Sequence, residues 1–357
     1  MIASGSHTPG IRAGDFALPP GTALRYERSA RPLRTLLPSY AVLDSDAAIW
    51  SGPSSWMLPG WAKLWIAPAS DPPDVTIGNR RYPALGKAML FGVTSRAMPA
   101  STYGGVSIVV DIAPRGWARL FASSAELMRD RIIPLEEMLP HGWREDLLGR
   151  IARSDHGEQV KDVLDQFFLE RMPPPHPEED TIAKVAALLV DERTHDLADA
   201  AARVGIDGRA LLPLTKRYFG FPPKVLTMRT RFLRALTTML VDRDRPDFAA
   251  IPAGYHDVSH FIRDANRFLG MTPRRFLAIE MPYTRAALRA RVLAIGAATS
   301  SLDKSTIEIE LLADPPSSCG CSPGMCSHSE RADDERPQVS PRLKFGPQPS
   351  IPANGRL

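Results

Sequence analysis

The chain has 357 residues, 44% of them apolar and 24% charged, which leaves room for two or three domains and excludes a chain disordered throughout, a collagen or a pure coiled coil. Net charge is only +4, yet residues 181–290 hold 18 Lys+Arg against 11 Asp+Glu and the remainder is net −3, the pattern of a polyanion-binding module joined to something else. No apolar run approaches the ~20 residues of a membrane span, no basic start and apolar block mark a secretory signal, and all three cysteines lie in the last 39 residues, so a reducing, cytoplasmic setting without a disulfide framework is expected.

Residues 1–20, rich in Gly, Ser and Pro, read as disordered. Residues 21–172 read as one region, β-rich and then helical. Short apolar runs between Gly and Pro (Tyr40–Leu43, Ala62–Ile66, Ala88–Val93, Val106–Ile112) have strand-and-turn texture. From Trp117 the period lengthens, and Val160, Val163, Leu164 and Phe167 make one helical face. Prolines at 173, 174, 175 and 177 stiffen a linker over 173–179. Residues 180–290 are helical throughout, and 291–357, poor in apolar residues, read as a disordered tail.

The helical region contains a duplication, visible on shifting the chain by 50 places. Asp207 then falls on Asp257, Leu211 on Phe261, Arg217 on Arg267, Gly220 on Gly270 and Pro223 on Pro273. In the first copy Leu197, Ala198, Ala201 and Val204 put an apolar stripe on a short helix. Gly205 ends it in a left-handed conformation, and Asp207 caps the next helix. Leu211, Leu214 and Tyr218 then face inward, and Gly220 stops that helix. This is a helix-turn-helix. Phe248, Ile251, Gly254, Asp257, Phe261 and Phe268 play the same parts in the second copy. Between the copies, Val225, Met228, Phe232, Leu236 and Met239 share one face of a long helix, punctuated by Arg229, Arg231 and Arg234, which read as structural or exposed.

The stretch Gly254-Tyr255-His256-Asp257-Val258-Ser259-His260-Phe261-Ile262-Arg263, continued by Arg267-Phe268-Leu269-Gly270-Met271-Thr272-Pro273, resembles the C-terminal signature of the AraC-type DNA-binding domain. Phe219-Gly220-Phe221-Pro222-Pro223-Lys224 and Arg231-Phe232-Leu233-Arg234 are similar to one branch of that family. Residues 40–140 resemble, more weakly, a domain found in front of it. The resemblance implies an α+β chain, with a mostly β N-terminal regulatory domain followed by an all-α tandem helix-turn-helix domain. It implies a transcriptional regulator, not an enzyme, with double-stranded DNA as partner, no cofactor, and RNA polymerase and a small-molecule effector as further candidate partners. By position it assigns base reading to Arg209, Leu212 and Lys216 in the first motif and to Val258, Ser259, Ile262 and Arg263 in the second. Arg217, Lys224, Arg267, Arg274 and Arg275 are the phosphate candidates. Pro213 stands where the branch has an arginine, Thr215 and Ala265 where the family has a buried aromatic, and Pro252 falls in the first helix of the second motif. A rival reading is a protein-interaction scaffold with a degenerate helix-turn-helix pair; a third is a small-molecule binder with a helical lid.

His256 and His260 read as turn packing rather than metal or catalytic groups. Cys319, Cys321, Cys326 and His328 could take zinc by donor type, but at no standard spacing. The six tryptophans, Trp50, Trp56, Trp61, Trp65, Trp117 and Trp143, read as core, with an apolar effector pocket as the alternative. No phosphate-binding loop, dinucleotide fingerprint, nucleophile elbow or zinc-protease motif occurs.

Overall fold

The β-branched and aromatic runs of the first third form two antiparallel sheets. A computed structural model describes residues 1–49, 52–70, 73–241, 252 and 254–304. One sheet runs β1 (Thr22–Arg28), β2 (Ser39–Ser45), β9 (Gly105–Asp111), β4 (Lys63–Ser70), β7 (Ala88–Phe91) and β10 (Ile132–Pro134) in spatial order. The other runs β3 (Gly52–Met57), β8 (Met98–Thr102), β5 (Asp74–Ile77) and β6 (Arg80–Tyr82). The four apolar runs noted above fall on β2, β4, β7 and β9.

Period-two alternation gives the large sheet two buried faces. Leu64, Ile66, Leu90, Ile108 and Val110 join one core with Trp117 of α1 (Pro114–Leu120), Leu147 of α2 (Trp143–Ala152) and Phe167 of α3 (Val160–Arg171). Trp65, Met89, Phe91 and Val109 face the other way, against Val75, Ile77 and Met98 of the small sheet.

The helical half follows as α4 (Glu179–Val190), α5 (Leu197–Arg203), α6 (Gly208–Leu214), α7 (Pro223–Val241), α8 (Val258–Leu269), α9 (Pro273–Leu277) and α10 (Pro282–Ile295). The α+β class, a mostly β N-terminal region before tandem helix-turn-helix motifs, is what the structure has. The expected split at 172/180 is not a physical seam. The core that starts at Leu33 runs on through Ile182, Leu211, Phe219 and Leu226, and all described residues belong to one compact unit. The proline-rich stretch is pinned from both sides: Glu179, buried, takes Arg115 and Arg119 of α1, and Glu178 accepts from the Tyr218 hydroxyl.

Both terminal expectations need correction. Residues 1–20 are placed: Gly5 bridges Arg25 of β1, and Phe16 is fully buried against Leu24 and Ala290. One large aromatic with a site to fill outweighs the segment's polar composition. The segment from 291 likewise continues α10 to Ile295, and Arg291, Ser300, Ser301 and Asp303 are buried. A buried ion network, invisible in a composition scan, holds it. The stripe on α5 also shifts: Leu197, Ala200 and Ala201 are buried, whereas Ala198 and Val204 are exposed. Phe248 and Ile251, and the thiols and His328 of the tail, lie outside the described residues.

Candidate nucleic-acid interface and the cavity behind it

Each motif is built by the same local chemistry. Gly205 (φ 78°) turns the chain after α5, and the Asp207 carboxylate accepts from the Arg209 amide at 2.9 Å, capping α6. Asp257 does the same for α8, accepting from the His260 amide at 2.7 Å. Gly220 and Gly270, both left-handed, end the two recognition segments.

Burial on these helices is one-sided. Leu211, Leu214, Tyr218 and Phe219 point inward, while Arg209, Leu212, Pro213 and Arg217 are exposed. On α8 the inward set is Phe261, Asp264, Ala265, Phe268 and Leu269; the outward set is Ser259, Ile262, Arg263 and Arg267, with Val258 half-buried at its start. Lys224, Arg274 and Arg275 are exposed too. Arg209, Arg217, Lys224, Arg263, Arg267, Arg274 and Arg275 make no ion pair among the described residues. Lys216 differs from its fellow candidates. Its ammonium lies 3.3 Å from Glu126 of the β-region, and its backbone carbonyl accepts from Ser124 at 3.3 Å.

Pro213 does not stop its helix. The chain stays helical to Phe219, but widens into a π-turn over Thr215–Phe219 directly after α6. A proline ring crowds the carbonyl four residues back and offers no N–H, and a wider turn accommodates both. Thr215 is fully buried, its hydroxyl donating to the Leu212 carbonyl at 3.1 Å.

Asp264, which the sequence did not single out, locks α8 to α7. Buried, it accepts from Arg231 at 2.7 Å and from the Tyr255 hydroxyl at 2.9 Å. Arg231 also meets His260 at 2.9 Å and stacks over the Tyr255 ring, so His260 serves packing, as its motif suggested, while His256 is exposed. Burial and the Asp264 charge push the Tyr255 phenol well above its usual range. Arg229 is fully buried between Trp61 and Phe221, donating to the carbonyls of Thr94 (3.1 Å) and Gly60 (3.3 Å). Burial pulls its pKa down to about 9, which leaves it charged near neutrality. The β-region therefore holds the helical half at Arg229 and also at the ends of both recognition segments: Arg129 donates to the Gly220 carbonyl at 2.8 Å, and the Ala97 amide donates to the Phe268 carbonyl at 2.7 Å.

Between the sheets and α10 lies a cavity of about 220 Å³. Two of the tryptophans, Trp56 and Trp65, line it; Trp61, Trp117 and Trp143 are core or packed against it, and Trp50 lies outside the described residues. At one end Asp111 takes Lys63, the Ser39 hydroxyl (2.7 Å) and Arg291 (3.2 Å). Burial opposes that carboxylate's ionisation, but Lys63 and Arg291 outweigh it and hold the pKa at about 2. Among the described residues no cluster of three or more metal-ligating side chains occurs, and no helix is long and apolar enough to cross a membrane.

A family profile for a helix-turn-helix domain matches residues 182–279. Curated proteins give no match. Among solved structures, unsaturated-fatty-acid-bound wild-type ToxT from Vibrio cholerae strain SCE256 aligns at 13% identity and TM-score 0.38, covering 72% of this chain and 94% of that one. ToxT from V. cholerae O395, bound to a methylnaphthalenyl butenoic acid, aligns at 12% and 0.38, covering 72% and 97%. With capped, glycine-ended motifs at a fixed offset on one connecting helix and the profile spanning both, the chain carries a DNA-binding domain of the AraC type over residues 182–279.

Proposed function

We propose that the protein controls promoters by reading DNA through the outward faces of α6 and α8, under the influence of a small molecule held in the cavity between the sheets and α10. The observation that carries this is the outward face of α8: Ser259, Ile262, Arg263 and Arg267 exposed in register, with two arginines free of ion pairs among the described residues. In this reading Arg263 and Arg209 take guanine edges, beside Leu212, Lys216, Val258, Ser259 and Ile262. Arg217, Lys224, Arg267, Arg274 and Arg275, all exposed, are its phosphate contacts. Because Lys216 is partly claimed by Glu126, the second motif carries more of the sequence preference than the first. RNA polymerase is a further partner for a promoter-bound regulator, in a cytoplasmic setting.

Selection of bound sequences from random DNA tests the reading. The expected product is one asymmetric site whose affinity falls steeply with salt. Arg263→Ala should cost about 1–3 kcal/mol and relax preference at one base position. No enrichment at low salt would favour the scaffold reading instead.

A further inference from the structure

The cavity has two kinds of wall. Trp56, Trp65 and Phe91 from the sheets and Leu288 from α10 make it apolar. Its charged end is closed on itself: Lys63 and Arg291 face Asp111 and Asp303, two cations for two anions, and Arg291 also donates to the Ala297 carbonyl at 2.6 Å. Arg291, Asp111 and Asp303 are all more than nine-tenths buried. An entering carboxylate would have to take Lys63 or Arg291 from Asp111 and leave that buried anion short of partners, which is costly. The uncommitted groups are hydroxyls. Thr299, 8% exposed, and Tyr283 both line the cavity, and the buried hydroxyl of each has no hydrogen-bond partner among the described residues. Each can donate to a neutral oxygen, and burial holds the Tyr283 phenol protonated.

We propose that the cavity binds an uncharged, largely apolar molecule bearing a carbonyl-type oxygen, gripped jointly by the sheets and by the helix that follows the second helix-turn-helix motif. It rests on the effector reading above and specifies its ligand class. The volume exceeds the ~150 Å³ that holds one benzene and suits on the order of ten heavy atoms. Tyr283, Thr284, Ala287, Leu288 and Arg291 present one face of α10 to the ligand. The Trp56 amide donates to the Thr284 hydroxyl at 2.9 Å, and its ring meets Phe276 of α9 edge-on at 5.3 Å. A molecule against Trp56 thus touches α10 directly and bears on α9 through the Trp56 ring.

The test is calorimetry on the full-length chain at pH 7.5 with pairs matched in size and shape: 2-decanone against nonanoic acid, and 4-phenylbutan-2-one against 3-phenylpropanoic acid. The ketones should bind at least about tenfold tighter than the acids. Tyr283→Phe should weaken ketone binding about three- to tenfold with its melting temperature retained, and Leu288→Trp should abolish it by filling the space. Acids binding as tightly as ketones would overturn the proposal, as would no ketone binding up to about 1 mM. A mobility shift on the same samples separates the readings, since intact DNA binding beside failed ketone binding removes only the ligand class.

Discussion

Pro213 carries the sharpest single-residue consequence. It is the sixth residue of α6, exposed, with a π-turn immediately behind it. Pro213→Ala restores the N–H and relieves the ring clash, so thermal stability should rise, by up to about 3 kcal/mol where the wide turn reverts. Pro213→Arg should add a donor over the groove as well and tighten DNA binding beyond what Pro213→Ala achieves. Melting curves and mobility shifts on the two variants separate backbone from side chain. Equal melting temperatures for both variants and the parent chain would mean that the proline is strain-free where it sits.

Among elements, the two glycine stops make a natural pair. Gly220 and Gly270 have nearly the same backbone, φ 75° and 73°. Around Gly270 an added Cβ would meet nothing within 4 Å, whereas at Gly220 it would lie 2.1 Å from a Val93 methyl. Gly270→Ala should therefore cost only the left-handed strain, about 1–2 kcal/mol. Gly220→Ala should cost more, because it also prises the motif off the β-region; urea titrations of the two variants measure the difference. Local chemistry explains what was legible in the sequence: the caps at Asp207 and Asp257, the stops at Gly205, Gly220 and Gly270, and the strand runs are all written within a few residues of where they act. Arg229 between Trp61 and Phe221, Glu179 under Arg115 and Arg119, and Arg291 on Asp111 join positions 60 to 180 residues apart. No periodicity reports such pairs, and so the roof of the cavity and the placement of both terminal segments were missed. Asp264 could have been found: a carboxylate on the inward side of an amphipathic helix needs a partner.

At the scale of the molecule, the Lys63–Asp111–Arg291–Asp303 network ties β4 and β9 to α10 and the residues after it. Asp111 ionises at about 2 in the folded chain and near 4 when unfolded. A depressed carboxylate pKa stabilises fully above the unfolded value, and that contribution drains away as pH falls through the folded one. About 2 kcal/mol should thus be lost between pH 4 and pH 2. Denaturant melts through that window should show the slope in the parent chain and a flatter profile in Asp111→Asn, which is weaker at neutral pH but has less left to lose.

The hydrogen bonds from Arg129 to Gly220 and from Ala97 to Phe268 bear on how such a chain can be taken apart. Regulators built as beads on a string exchange their DNA-reading halves freely, since each half brings its own core. Here Phe219 and Phe221 are sealed by Trp61 and Arg129, with Val93 against Gly220 between them, so removing the β-region by a boundary within 173–179 would strip the first motif of part of its interior. Protease nicking there should leave the two pieces associated, and a graft of residues 180–304 onto a foreign partner should be poorly soluble unless the β-region travels with it.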